Sequence, residues 1–215
     1  MWRGPLRVLL AGVGALVVGC GSPPPPAFHP AGANPTGGQA SAQLGQASSQ
    51  QVTWPPFGSN VHVIMTSWLP ADQGKVPAVI TAKNFLLAIL YAEYRGNQDH
   101  RWKAYAASSV AGALSSALAK PDVTTQSFTG TIRFSQMSAF ADPVVPGAVD
   151  VAECFNNADS VNVGLHSGKA VPDGTPADQH YYRNTDAIAK DASGQWHVVT
   201  IYPVVYYPQA VECKP

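Results

Sequence analysis

The stretch QHYYRNTDAIAK-DASG-QWHVVTIYPVVYY, residues 179–207, decides the fold class of this chain. Both halves are rich in β-branched and aromatic residues, and Asp191–Gly194 between them consists of turn formers. The pattern predicts a hairpin with strands at Gln179–Lys190 and Gln195–Tyr207. Alternation along the second strand predicts one face with Trp196, Val198, Thr200 and Tyr202 and an opposite face with His197, Val199 and Ile201.

Three segments before this hairpin also have strand character. They are Phe128–Ala141, Ala148–Phe155 and Ser160–Leu165. The polar run Asn156–Asp159 separates the last two, so we predict a turn there. Consecutive strands joined by short turns indicate an antiparallel sheet.

Two helices are predicted before the strands. Apolar residues recur every three or four positions from Lys75 to Tyr94, and Gly96 follows as a terminator. A second stripe of apolar and small residues runs from Trp102 to Leu118. Helices followed by a run of strands indicate an α+β fold, in which the helices pack against the sheet.

The N-terminus has the organisation of an export signal. Arg3 and Arg7 precede an uninterrupted apolar run, Val8–Val18, which is too short to span a membrane. We therefore interpret residues 1–19 as a signal peptide. The junction Val17-Val18-Gly19-Cys20 resembles the lipobox of bacterial lipoproteins, and this resemblance implies acylation of the cysteine and a location at the outer face of the cell membrane. An ordinary signal peptide with an incidental cysteine is the alternative.

Composition divides the rest of the chain into three parts. Residues 20–51 are mostly Pro, Gly, Ala, Ser and Gln, which predicts a disordered stalk with a reach of about 30 Å. Residues 52–71 contain prolines and a short β-rich group, Val61–Met65, which we interpret as an edge strand or an extended arm. Residues 72–215 are predicted to form the folded domain.

Charge and cysteine content exclude several classes of function. Without Arg3 and Arg7 the chain has 13 minus 2, or 11, basic residues against 13 acidic ones, so no basic surface is available for nucleic acid. In an oxidising compartment we expect Cys154 and Cys213 to form a disulfide, with two buried free thiols as the alternative. The sequence lacks metal-ligand spacing and the usual nucleophile and nucleotide motifs, so we predict no metal and no cofactor.

The order of elements resembles the NTF2-like cone fold. Two helices precede a long antiparallel meander, and Gly194-Gln195-Trp196 enters the final strand. From about residue 60 to residue 210 the chain resembles a group of actinobacterial secreted lipoproteins of that fold, which share the lipobox, the stalk, an arm ending at a proline, here Pro70, and a cysteine in the middle strand. Where those relatives have an acidic residue after this cysteine, the chain has Phe155.

The resemblance implies a curved antiparallel sheet wrapped around the N-terminal helices, with a pocket at the mouth of the cone. Another α+β sandwich with helices on one face is the alternative architecture. The implied function is a lipoprotein that binds an apolar small ligand or an envelope protein. Aromatic residues near the helix junction and in the final hairpin are the candidate pocket, although core packing explains the same pattern. These residues are Tyr91, Tyr94, Trp102, Tyr105, Tyr182 and Trp196.

Two other functions are compatible with such a cone. A small isomerase or dehydratase needs an Asp base and a Tyr in an apolar pocket. The candidates are Asp142, Asp150 and Asp186 with Tyr181 or Tyr182, and the alternative is that these acids lie in turns or on the solvent face. An assembly module of an envelope complex is the third function. The charge-free tail Tyr202–Pro208 would then offer a sheet edge for homodimerisation.

Overall fold

The computed structural model describes residues 48–51, 57–172 and 174–214. The predicted signal peptide, the predicted lipid-attachment residue Cys20 and most of the predicted stalk lie outside the described residues. The described part is an α+β fold, in which a curved sheet packs against one long helix and several shorter ones.

Seven strands of the described chain form one sheet. They are β1 Ser48–Gln51, β2 Val61–Ser67, β3 Gln126–Ala141, β4 Val149–Gly164, β5 Tyr181–Lys190, β6 Trp196–Ile201 and β7 Val205–Tyr206. The strand order is β1-β2-β3-β4-β5-β6, and β7 pairs with β5. The β2–β3 pair is parallel, and the other pairs are antiparallel.

The helical elements come between β2 and β3 or flank the last strands. The α-helices are α1 Val76–Tyr94, α2 Ser108–Leu118 and α3 Pro121–Thr124. Short 3₁₀ turns are Gln73–Lys75, Arg101–Tyr105, Ala177–His180 and Val211–Cys213.

Helix α1 is the central helix of the core, which confirms the first predicted helix. Of its 19 residues, Ala78, Phe85 and Leu90 are among the many that are buried against the rest of the domain. Burial of each large apolar side chain contributes about 1.5–3 kcal/mol. With the preceding 3₁₀ turn, this helix is also the one described segment that is long and apolar enough to cross a membrane. Its burial is that of a core helix.

The predicted second helix is wrong in its first part. Arg101–Tyr105 is a 3₁₀ turn, and the backbone is extended at Ala106 and Ala107 before α2 begins. Ala106 forms a β-bridge with Val198 in β6, and the Ala107 N–H donates to the Val198 carbonyl at 2.9 Å. These hydrogen bonds to the sheet outweigh the local helical preference, because buried backbone groups need a partner.

The turn predicted at Asn156–Asp159 is also wrong, because β4 is one strand of 16 residues. Asn156 and Asp159 stay paired with β3, and Asp159 forms an ion pair with Arg133. The irregularity lies in β4 itself, where Asn157 and Ala158 together oppose the single residue Ile132 of β3. Gly130, at φ +94°, lies so close to the Asp159 carbonyl that a side chain would collide with it. A bulge within a continuous strand therefore replaces the predicted turn.

The final hairpin is confirmed, but its simple alternation is wrong. Asp191 accepts hydrogen bonds from Ser193 and Gln195 in the connecting turn. A register shift between Ala187 and Ile188 brings both Val198 and Ile201 into the core, although they were predicted on opposite faces. The tail does not remain a free segment, because Val205–Tyr206 pairs with β5.

The N-terminal edge of the sheet extends further than predicted. Ser48–Gln51, the end of the predicted stalk, forms β1 and pairs with β2. As a result β2, the β-rich group of the predicted arm, lies between β1 and β3. Strand pairing uses backbone groups, so a polar segment can add an edge strand without an apolar face.

The face of the sheet opposite the helices is covered by the C-terminal tail. Cys154 forms the predicted disulfide with Cys213, with a Cα–Cα distance of 5.0 Å. Both sulfur-bearing residues are buried with Ala210. Nearby, Arg183 donates to Glu212 at 2.8 Å. The tail therefore packs over the part of this sheet face that carries Cys154 and Arg183.

Candidate functional site

A small cavity lies between the helices and the sheet. About 30 Å³ of it is open to the centre of a water molecule, which is room for one or two waters. The wall is formed by α1, α2 and the inner faces of β3, β4 and β5. The lining residues are Leu86, Ile89, Leu90, Glu93, Leu114, Phe134, Glu153, Phe155, Tyr182 and Asn184.

Two carboxyl groups are buried in this mostly apolar wall. Glu93, in the last turn of α1, and Glu153, on β4, are each 1% exposed. Neither carboxyl oxygen of Glu93 has a hydrogen-bond partner in the protein. Glu153 Oε1 accepts from Asn184 Nδ2 at 2.8 Å, but Glu153 Oε2 and Asn184 Oδ1 have no partner. Leaving a buried polar group unsatisfied costs about 1–3 kcal/mol, so a ligand or water that hydrogen-bonds to these four atoms would recover that cost.

Burial also changes the protonation of these groups. Burial, with a smaller contribution from the charge of Asp122, raises the pKa of Glu93 well above its usual value. Burial and then the charge of Asp186 raise the pKa of Glu153, against the opposing hydrogen bond from Asn184. Burial raises the pKa of Asp186 to about 7, although Asn184 also donates to it at 3.2 Å. Burial therefore favours the neutral form of each of these three carboxyl groups.

One wall of the cavity is aromatic. Phe134 meets Phe155 edge to face, with ring centroids 5.1 Å apart. Phe155 stacks on Tyr182 at 4.6 Å. Neighbouring strands supply these rings, because Phe134, Phe155 and Tyr182 stand opposite one another in the sheet. The wall thus combines aromatic rings with the carboxyl groups of Glu93 and Glu153.

A second carboxyl cluster lies away from the cavity. Asp142 Oδ1 accepts from the backbone N–H groups of Val144 and Val145 at 2.6 and 2.8 Å, and Asp142 Oδ2 accepts from the Tyr202 hydroxyl at 2.8 Å. Burial alone would raise the pKa of Asp142, but these hydrogen bonds and one with Asp150 lower it. Burial, and then the hydrogen bond to Asp142, raise the pKa of Asp150 to about 7. The hydrogen bonds of Asp142 hold the turn after β3, and none of these residues lines the cavity.

The structure separates most of the predicted pocket residues. Tyr182 lines the cavity. Tyr91 and Tyr94 instead pack around Phe57 of the arm, each with ring centroids 5.4 Å from it. The remaining three pack in or against the core: Trp102, which is fully buried, Tyr105 and Trp196.

The predicted acid and tyrosine pairs are also rearranged. Asp142 contacts Tyr202, which was not among the predicted partners. Asp186 is buried beside Asn184, and Asp150 bonds Asp142. Glu93 and Glu153, the acids at the cavity, were missed. The available signal was a single acidic residue on an otherwise apolar face: Glu93 follows Ile89 and Leu90 by one helical turn, and Glu153 alternates with Val151 and Phe155.

A second open space lies on the described surface. An open groove of about 380 Å³ is lined mainly by small residues of β4 and of the loop after it, such as Ser160 and Ala170. His180 at its edge contacts Asn157 Oδ1 at 3.0 Å. Within the described ranges, no three His, Cys, Asp or Glu side chains are grouped to hold a metal ion.

No family model, curated protein or solved structure matches the chain. The functional argument therefore rests on the fold and on the geometry of the cavity.

Proposed function

We propose that this protein is a lipid-anchored extracytoplasmic binding protein, whose cavity receives the polar end of a small ligand with an apolar body. One observation carries the proposal: four unpartnered polar atoms of Glu93, Glu153 and Asn184 line an otherwise apolar cavity. Ligand sites of this kind are mostly apolar, with a few polar groups that set orientation. The NTF2-like cone is our proposal for the fold, supported by the order of helices and antiparallel strands.

The location is supported by the sequence around Cys20 and by the disulfide between Cys154 and Cys213, which suits an oxidising compartment. Metabolic labelling with a radioactive fatty acid tests it. We expect label in the wild-type protein and none in Cys20→Ala. Unlabelled wild-type protein in the medium would contradict the anchor and leave the cavity proposal untouched.

An enzyme is less well supported by this geometry. A cone-fold isomerase needs one ionised base in the pocket, whereas burial raises the pKa of both Glu93 and Glu153. The ionised Asp142 is occupied by two backbone N–H groups and by Tyr202. Burial thus disfavours an ionised base at the cavity, where the carboxyl groups can donate and accept hydrogen bonds.

Native mass spectrometry of protein purified from host membranes tests ligand binding. We expect a retained small molecule in the wild type. Leu114, fully buried in the cavity wall, can be replaced by Phe to fill the space, and Leu114→Phe should purify without the molecule. Asp178→Asn, on an exposed residue, is the matched control and should retain it. A wild type that carries nothing and binds none of a series of C6–C10 alcohols would contradict the proposal.

A further inference from the structure

Carboxyl and amide oxygens line part of the cavity wall, and a carboxyl group becomes purely an acceptor when it loses its proton. Glu93 and Glu153 together present three unpartnered carboxyl oxygens, and Asn184 presents an unpartnered amide oxygen. Among the described residues that line the cavity there is no Lys, Arg or His. A ligand that satisfies several acceptors at once must bring several N–H or O–H donors.

Two further features favour a positive charge at the same place. The faces of Phe134, Phe155 and Tyr182 carry the negative side of the ring quadrupole, which attracts ammonium groups. Glu93 lies in the last turn of α1, at the partially negative end of the helix dipole, and this turn contains no basic residue. A cation therefore meets a favourable potential from the strands and from the helix.

The size of the cavity sets the shape of the ligand. The space of about 30 Å³ admits a head group and excludes a whole apolar molecule. Leu86 and Ile89, each 9% exposed, are the most exposed of the lining residues. The remainder of a ligand would leave the cavity past these two side chains, along an apolar edge.

We propose that the ligand is a primary amine with an apolar chain, whose ammonium group is held between Glu93 and Glu153. This inference rests on the proposed function and names its ligand class. The free carboxyl group of Glu93 loses its proton to the solvent, and the resulting carboxylate pairs with the ammonium ion. One positive charge enters the cavity and one proton leaves it, so the charge of the complex is balanced.

Calorimetric titration with three probes of equal chain length tests this inference: octylamine, 1-octanol and octanoate. The full chain carrying Cys20→Ala is used, so that no acyl group contributes. We expect octylamine to bind at pH 7 more tightly than 1-octanol and octanoate not to bind. Repeating the titration in buffers of different ionisation enthalpy should show about one proton released per octylamine and none per octanol. Glu93→Gln and Glu153→Gln should each weaken octylamine binding by about 10- to 100-fold.

Octanol binding reports whether each Gln variant is folded and whether the cavity is intact, and Asp178→Asn should bind both probes as the wild type does. Equal binding of octylamine and octanol, or octylamine binding unchanged in both Gln variants, would overturn the amine inference and leave the cavity proposal standing. Failure of every probe would overturn both.

Discussion

The two faces of strand β4 carry carboxyl groups in contrasting states. Glu153 shares the inner face with Val151 and Phe155, and one of its oxygens has no partner. Asp150, on the alternate face with Cys154, also has one oxygen without a partner, but it bonds Asp142, whose own oxygens are fully engaged. Both acids are buried, so the contrast lies in their surroundings: Asp150 contacts an acid that the backbone holds, whereas Glu153 faces a cavity.

We interpret the outer cluster as structural and the inner acids as the candidates for ligand binding. On the outer face the hydrogen bonds of Asp142 hold a turn, and the disulfide holds the tail. On the inner face the polar groups face a cavity and lack partners, which costs stability that a ligand can restore. Substitutions on the outer face should therefore destabilise the domain, whereas substitutions of the inner acids should stabilise it and remove binding.

Removal of the disulfide should have the largest effect. The bridge joins residues 59 positions apart, and Cys154→Ala with Cys213→Ala should lower the free energy of unfolding by about 4 kcal/mol. Urea unfolding followed by circular dichroism measures this loss. Glu212→Gln, which removes the half-exposed ion pair with Arg183, is the comparison and should lose less than about 1 kcal/mol. Equal losses in the two variants would show that the tail does not depend on the bridge.

Asp142→Ala should have the next largest effect. It leaves two backbone N–H groups and the Tyr202 hydroxyl without their acceptor, so the free energy of unfolding should fall by about 3 kcal/mol. Tyr202→Phe removes a single bond and should cost about 1 kcal/mol. If Asp142→Ala unfolds at the same urea concentration as the wild type, the outer cluster does not stabilise the turn.

Glu93→Met should act in the opposite direction. The substitution keeps the approximate volume and removes two unpartnered oxygens, so the empty protein should gain about 1–2 kcal/mol at pH 7. The same urea experiment measures it, and octylamine should no longer stabilise the variant. A loss of stability in Glu93→Met would mean that the inner acid is as well satisfied as the outer cluster.

The last expected effect is a change in the pH dependence of stability, which is small over any single pH unit. The pKa of Asp150 is raised from 3.8 to about 7, so between these values the folded state holds a proton that the unfolded state has lost. Stability should therefore fall as the pH rises through this window, by at most about 1.4 kcal/mol per pH unit for one proton. Asp150→Asn keeps a donor towards Asp142 and should flatten the curve. Unfolding curves at pH 4, 5, 6 and 7 measure the slope, and parallel curves for the two proteins would contradict the raised pKa.

Local patterns predicted much of the fold. The apolar period of α1 and the hairpin turn at Asp191–Gly194 are correct, because short-range preferences and burial point the same way there. The patterns failed at Ala106–Ala107 and at Asn156–Asp159, where hydrogen bonds to distant strands override helix and turn preferences.

The candidate site was much harder to predict. Of the six proposed pocket aromatics, Tyr182 alone lines the cavity. Tyr91 and Tyr94 are the same residue type as Tyr182, but their rings pack against Phe57. An aromatic residue in a wall and one in a core bury similar surfaces, so the sequence does not distinguish them.

By itself, the sequence predicted an export signal at residues 1–19, most of the order of helices and strands, and a disulfide, because each prediction depends on residue type and local spacing. Only the tertiary structure decided that Glu93 of α1 and Glu153 of β4 line one cavity with Asn184. It also decided that Asp142, rather than either glutamate, receives the hydrogen bonds that keep it ionised. The physical reason is that the protonation and partners of a buried acid depend on groups far away in the chain, which local sequence does not specify.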